Sequence, residues 1–176
     1  MKRIALAALA AILAGCNGST APVDENYQSL PADQVAFGVE HITTVNGVRR
    51  ANLHADTTLM FNDSAVVSLK SVELELYDEI GGHQATLTSA SGELNRSTNA
   101  MVARGDVVLV VHGAQGRTVW TEELHYDPTQ NRIWSDVATR SRTADGQEIR
   151  GDSFSSDDQF RNFTIQGGSG TGLQLF

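Results

Sequence analysis

The chain has 176 residues, 40% of them hydrophobic, and a formal net charge of −8. That length and apolar content suffice for one domain with its own core and fall short of two, while the acidic balance leaves no basic face of the kind nucleic-acid binding requires. Sixteen glycines and three prolines are turn punctuation, too few for a collagen or a linker protein.

Residues 1–15 read as a leader. Lys2 and Arg3 form a positive start, Ile4 to Ile12 an apolar run about half as long as a bilayer span, and Leu13-Ala14-Gly15-Cys16 a small-residue junction ending in cysteine. The pattern resembles a bacterial lipoprotein signal peptide. On that resemblance Cys16, the only cysteine, becomes the acylated first residue of the mature chain, and loss of Lys2 and Arg3 takes the charge from −8 to −10. Several acyl chains, at about 0.8 kcal/mol per buried CH₂, anchor stably where one does not. The competing expectation is an ordinary signal peptide with an incidental thiol. Residues 16–33, polar and carrying Pro22 and Pro31, read as a tether, and residues 34–176 as a single domain.

Within the domain the pattern is one of short alternations broken by turns. Ala36 to Thr43 is a first strand, Asn46-Gly47 a type I′ hairpin turn, and Val48 to Ala55 the returning strand. Leu59, Met60 and Phe61 cluster within residues 54–65, but Thr57, Thr58, Asn62 and Asp63 oppose a short helix there. Ser68 to Asp78 alternates cleanly, with Val72, Leu74 and Leu76 on one face and Glu73, Glu75 and Tyr77 on the other. Met101 to His112 carries Val107, Leu109 and Val111 on one face and Val108 and Val110 on the other, which predicts cover on both sides or a partner. Gly167 to Gly172 reads as a flexible link to a short last strand. Past the leader no 3.6-residue apolar period persists, so the expected fold class is all-β, with antiparallel strands.

A two-faced motif recurs in this domain. Leu87-Thr88-Ser89 leads to Leu94, Val119-Trp120-Thr121 to Leu124 and Tyr126, and Ile149-Arg150-Gly151 to Phe154; a weaker copy begins at Leu53-His54-Ala55. The opening residues 53, 87, 119 and 149 lie 34, 32 and 30 apart, the mark of stacked units each too thin to bury its own apolar face. The small third residue is expected to keep a channel between the units from filling.

Sites for chemistry are sparse. The five histidines, at 41, 54, 83, 112 and 125, show no metal-ligand spacing, and His54 and His125 fall at polar strand positions. Asp152, Asp157 and Asp158 do not follow a calcium loop and read as solvated turn acids. Glu122 and Glu123 point to opposite faces of a strand, and no serine stands in a nucleophile elbow. No enzyme activity, metal or cofactor is expected.

Several segments, in order, resemble the LptC-like members of the LptA/LptC/OstA group of lipopolysaccharide export. They are Val72 to Asp78, Leu87 to Gly92, Ala103 to Val107, Thr121 to Asp127, Ile133 to Asp136 and Ile149 to Phe154. The resemblance implies a rolled antiparallel β-sheet, an open twisted β-jellyroll, enclosing a groove through which lipopolysaccharide acyl chains slide. It also implies strand addition at both edges: inner-membrane ABC transporter subunits (LptF/LptG-like) at the N-terminal edge and an LptA-like bridge at the C-terminal edge. Unpaired edge groups make such joining physically natural. A transmembrane helix usually anchors such proteins; here a lipobox stands in its place, with the inner membrane favoured and the outer possible.

The groove lining expected from the repeats is Leu74, Leu76, Leu87, Ser89, Leu94, Val107, Leu109, Val119, Thr121, Leu124, Tyr126, Ile133, Gly151, Phe154, Phe163 and Ile165. The alternative is a structural or carbohydrate-binding β-sandwich lipoprotein with a filled core, for which Trp120 and Trp134 would stand on the outer face. An enzyme scaffold of the solenoid kind is weaker still, because it needs acids on the groove floor and the alternation puts most of them outside.

Overall fold

Asn46 and Gly47 both take positive φ, 52° and 79°, as a two-residue hairpin between right-twisted strands demands. The turn joins the first two of twelve antiparallel strands in a computed structural model that describes residues 32–113 and 116–171, the last three of these by their backbone alone. The leader, Cys16 and the tether as far as residue 31 lie outside the described residues. At the start of the described residues the Asp33 amide donates to the Met60 carbonyl at 3.0 Å.

The strands are β1 (Gln34–Val45), β2 (Val48–Met60), β3 (Val66–Tyr77), β4 (His83–Asn95), β5 (Met101–Val111), β6 (Arg117–Asp127), β7 (Arg132–Ser135), β8 (Thr139–Thr143), β9 (Glu148–Gly151), β10 (Ser153–Asp157), β11 (Thr164–Gln166) and β12 (Ser169–Thr171). From β1 to β6 each strand pairs with the next. The sheet then forks: the end of β6 continues through β7, β10 and β11, its start through β8, β9 and β12. No helix occurs among the described residues. The returning strand, expected over Val48 to Ala55, runs on to Met60, and no helix forms where Thr57, Thr58, Asn62 and Asp63 oppose one. Ser169–Thr171, read above as part of a link, pairs with β9, because the chain turns at Gly167 (φ 70°) and re-enters the sheet; the short last strand expected after it lies outside the described residues.

A line of ladder defects crosses the whole sheet. Gly38 stands opposite Asp56, Asp56 opposite Ser71, and Ser71 opposite Ala90, each skipped by the register on both sides. The line continues through Gly105 and Asp106, through Glu122, and then through the breaks between β7 and β8, between β9 and β10, and between β11 and β12. Gly38, Ser71, Gly105 and Asp106 carry positive φ, so the chain bends there. Every long strand is thereby cut into two arms, and the three short pairs after β6 repeat the plan with a complete break at the corner.

Each bend reverses the alternation. In β3 the buried residues are Val67 and Leu69 before Ser71, then Val72, Leu74 and Leu76 after it; in β6 they are Val119 and Thr121, then Leu124 and Tyr126. An uninterrupted period of two would have turned the second set to solvent. The bend brings both sets inward, and the two arms meet over one continuous apolar cluster. Arm A comprises the segments on the side of residues 39–55, 72–88, 107–121 and 139–151. Arm B comprises those around residues 57–70, 91–104, 123–135 and 153–166.

Candidate functional site between the two arms

The repeat motif marks the corner. Its first and third positions are the last inward residues of arm A, and its sixth and eighth the first inward residues of arm B: Leu87, Ser89, Gly92 and Leu94; Val119, Thr121, Leu124 and Tyr126; Phe154 and Ser156 after Gly151. The third residue is small because of what the corner does to the backbone. Where the ladder breaks, a carbonyl loses its cross-strand partner, and the side chain just before the bend supplies one. Ser89 Oγ donates to the Ser91 carbonyl at 2.9 Å. Thr121 Oγ1 lies 3.3 Å from the Glu123 carbonyl and 3.2 Å from that of Ala138, and Ser135 Oγ 3.3 Å from that of Val137. Thr121 and Ser135 are themselves 2.9 Å apart. At Gly151 a Cβ would collide with Ile165 and the Gln166 carbonyl.

Of the sixteen residues expected to line a groove, eleven belong to the buried apolar cluster, and Phe163 and Ile165 pack against it. Leu74, Leu76, Leu87, Ser89, Val107, Leu109, Val119, Thr121 and Gly151 come from arm A; Leu94, Leu124, Tyr126, Ile133, Phe154, Phe163 and Ile165 come from arm B or the loop leading into its last strand. Thirteen are buried, and Gly151, Phe163 and Ile165 are half-buried. The alternation missed inward residues at strand ends and in small-residue stretches, among them Ala51, Leu69, Ala85, Met101 and Ala103. Doubling the motif back onto the intervening strands β3 and β5 would have found Leu69, Met101 and Ala103, and extending it two residues towards the start of β2 and β4 would have found Ala51 and Ala85.

The arms are in contact. Leu53 and Leu74 from arm A meet Leu94, Met101 and Tyr126 from arm B around a cavity of about 20 Å³, room for about one water molecule. Its mouth, opposite the corner, is bridged by three cross-arm ties. His41 Nε2 lies 3.1 Å from Asn99 Oδ1. Arg50 Nη2 lies 3.5 Å from Asp158 Oδ2. The Arg117 guanidinium sits 4.0 Å over the Phe163 ring, which stacks on Phe154 at 5.4 Å. Asp158, expected to be a solvated turn acid, is thus drawn into the mouth, because the loop after β10 closes over the end of β2. Asp157 stays in its turn, accepting from the Arg161 amide at 2.7 Å.

Burial first, and then the negative charge of Asp158, push the Tyr126 phenol up to about 12. Burial holds the Arg117 guanidinium below its ordinary value. On the outer faces the charges are paired and wet. Arg104 bridges Glu93 at 3.2 Å and Glu123 at 2.8 Å, and holds the Glu123 carboxyl below the usual range. Glu148 is held low by Arg142 and Arg150, 2.9 and 3.0 Å away. Such exposed pairs add little stability.

Trp120 and Trp134 stand on the outer face. Arg140 lies 4.1 Å over Trp120, while Trp134 stacks on His125 at 4.9 Å and carries Arg132 at 4.6 Å. Val108 and Val110 are half-buried on the outer side of β5. His54 is exposed beside Asp56; His125 is half-buried and bonds Glu123 at 2.9 Å. Among the described residues no three His, Cys, Asp or Glu side chains converge on a metal-sized site.

Residues 4–171 match a family model described as "LptC: Lipopolysaccharide-assembly, LptC-related". Among solved structures, the chain is similar to that described as "LptH, the LptA homologous periplasmic component of the conserved lipopolysaccharide transport device from Pseudomonas aeruginosa". The TM-score is 0.53 at 15% identity, over 71% of this chain and 87% of that one, a likeness of fold: an LptA-like β-jellyroll. No curated protein sequence matches.

Proposed function

The chain belongs to the LptC-related family of lipopolysaccharide assembly, and from that premise we propose that it is a periplasmic bridge component that takes lipopolysaccharide acyl chains between its two arms and passes them on. The observation that carries this reading is the doubled inward face. Two rows of inward apolar side chains are turned onto one another across a corner, along a mouth that a hydrogen bond, an ion pair and a cation–ring contact bridge among the described residues. The arms must part for a chain to enter, since a cavity of about 20 Å³ holds none.

The sheet ends also support a bridging role. β1 is a twelve-residue edge strand with Ile42 and Val45 exposed, the kind of edge that another sheet completes. On this reading LptF/LptG-like transporter subunits pair with β1, and an LptA-like bridge with the edge formed by β11 and β12. Cys16 carries the lipid anchor to a membrane, the inner one favoured, and residues up to 33 tether the domain.

Photo-crosslinkers at Leu94, Tyr126 and Phe163 are expected to capture lipopolysaccharide in cells, and crosslinkers at Glu73 and His125, on the outer face, are not. Equal labelling at all five positions would rule the conduit out. A β-sandwich lipoprotein with a filled core is the second reading, favoured by the contact between the arms, and predicts no capture at any of the five.

A further inference from the structure

Two arginines stand at the rim of arm A where its inward apolar series stops. Arg117 continues the inward alternation of Val119 and Thr121 to the free end of β6, and Arg50 lies one residue beyond the inward Ala51 in β2. Both reach across the mouth. Neither is held as Arg104, Arg142 and Arg150 on the outer face are, each of which has a carboxylate oxygen within 2.8–3.0 Å. Arg50 donates through Nε to the Tyr77 carbonyl at 3.3 Å and meets one carboxylate, Asp158, at 3.5 Å, longer than a tight charge-assisted bond. Arg117 has no carboxylate partner among the described residues; the Phe163 ring alone occupies its face. A partly desolvated cation without a close counter-charge is costly to keep. An anion that arrives with its own apolar tail removes that cost.

We infer that Arg50 and Arg117 are the anion subsites of the interior, receiving the phosphate of an amphiphile whose acyl chain lies between the arms, with Asp158 and the Phe163 ring covering them in the closed state. The inference rests on the conduit reading and adds to it a means of selecting ligand. An uncharged amphiphile meets the same apolar walls but gains nothing at the rim. A phosphorylated one exchanges the long Arg50–Asp158 contact for charge-assisted bonds to the guanidinium, and opens the mouth as it does so. The fork geometry of guanidinium suits a phosphate better than a lysine ammonium does.

The test titrates the full chain, below micellar concentration, with a fluorescent monoacylglycerol and with the lysophosphatidic acid of the same chain length. The wild type is expected to favour the phosphorylated probe by about tenfold or more. Arg50→Gln and Arg117→Gln should each reduce that ratio, and the double variant should bring it close to one while still binding the neutral probe. Asp158→Asn should keep or raise the ratio, and Arg50→Lys should retain part of it, which separates loss of the subsite from loss of fold; thermal melts accompany each variant. Inorganic phosphate at equal concentration should not compete, because without an acyl chain it has no means of parting the arms. A ratio unchanged in the double variant, or erased by inorganic phosphate, overturns the inference and leaves the conduit standing. Failure of both probes to bind the wild type overturns both.

Discussion

At the scale of single residues, the side chains that decide most are the ones at the corner and the mouth. Thr121 is buried with its hydroxyl among the Glu123 and Ala138 carbonyls and the Ser135 and Thr139 hydroxyls. Thr121→Val keeps the shape and removes the hydroxyl from the Glu123 and Ala138 carbonyls, while Ser135 and Thr139 keep Val137, so urea unfolding should show a loss of about 1–3 kcal/mol, with faster amide exchange on both sides of the corner. Tyr126 makes the mouth sensitive to alkali. Its phenol titrates near 10 in an unfolded chain and about 12 in the fold. The native state therefore holds a proton that the unfolded state has lost; the stability this represents is complete below pH 10 and disappears as pH rises towards 12. Up to about 2–3 kcal/mol is at stake. Urea midpoints should fall more steeply between pH 10 and 12 in the wild type than in Tyr126→Phe, and Asp158→Asn should lower the phenol's titration point in an absorbance scan.

At the scale of elements, the two-arm strand is the unit. The alternation in Ser68 to Asp78 was legible because β3 runs straight from Val72 to Tyr77, and the strand continues back to Val66 only by turning over at Ser71. The same turn explains why the repeat steps from its third position to its sixth, which no straight strand would require. The small third residue was visible in the chain, but its reason was not. A serine or threonine there answers a carbonyl exposed by the corner, and Gly151 answers a neighbouring backbone; whether it also leaves space for a ligand is the conduit proposal. The periodicity of about 32 residues arises because a strand, a turn, the returning strand and a second turn complete one rung before the chain comes back to the same wall.

At the scale of the molecule, opening is the property that function requires. The three ties join the rims of the arms, and none is strong: one hydrogen bond, one long ion pair and one cation–ring contact, each worth on the order of 1 kcal/mol. Holding the rims together should therefore block uptake without disturbing the fold. His41→Cys with Asn99→Cys, in a chain whose Cys16 is serine, joined by a short bis-maleimide, is expected to raise the melting temperature and abolish lipopolysaccharide capture at Tyr126. The unjoined double variant should capture at least as well as the parent. Capture that survives the crosslink would show that ligand never passes between the arms.

The chain by itself determined that this domain is all strand, that its apolar residues recur in rungs, and which family it resembles. Those properties are local: alternation, turn chemistry and motif order are written within a few residues of one another. The leader and Cys16 were read in the same way and lie outside the described residues. What only the tertiary structure decided is which residues meet across the fold. A bend at Ser71 or Gly105 carries no distinctive composition, yet it reverses every side chain beyond it. The pairing of Arg50 with Asp158 spans more than a hundred residues and exists only because the folded sheet brings two rims together.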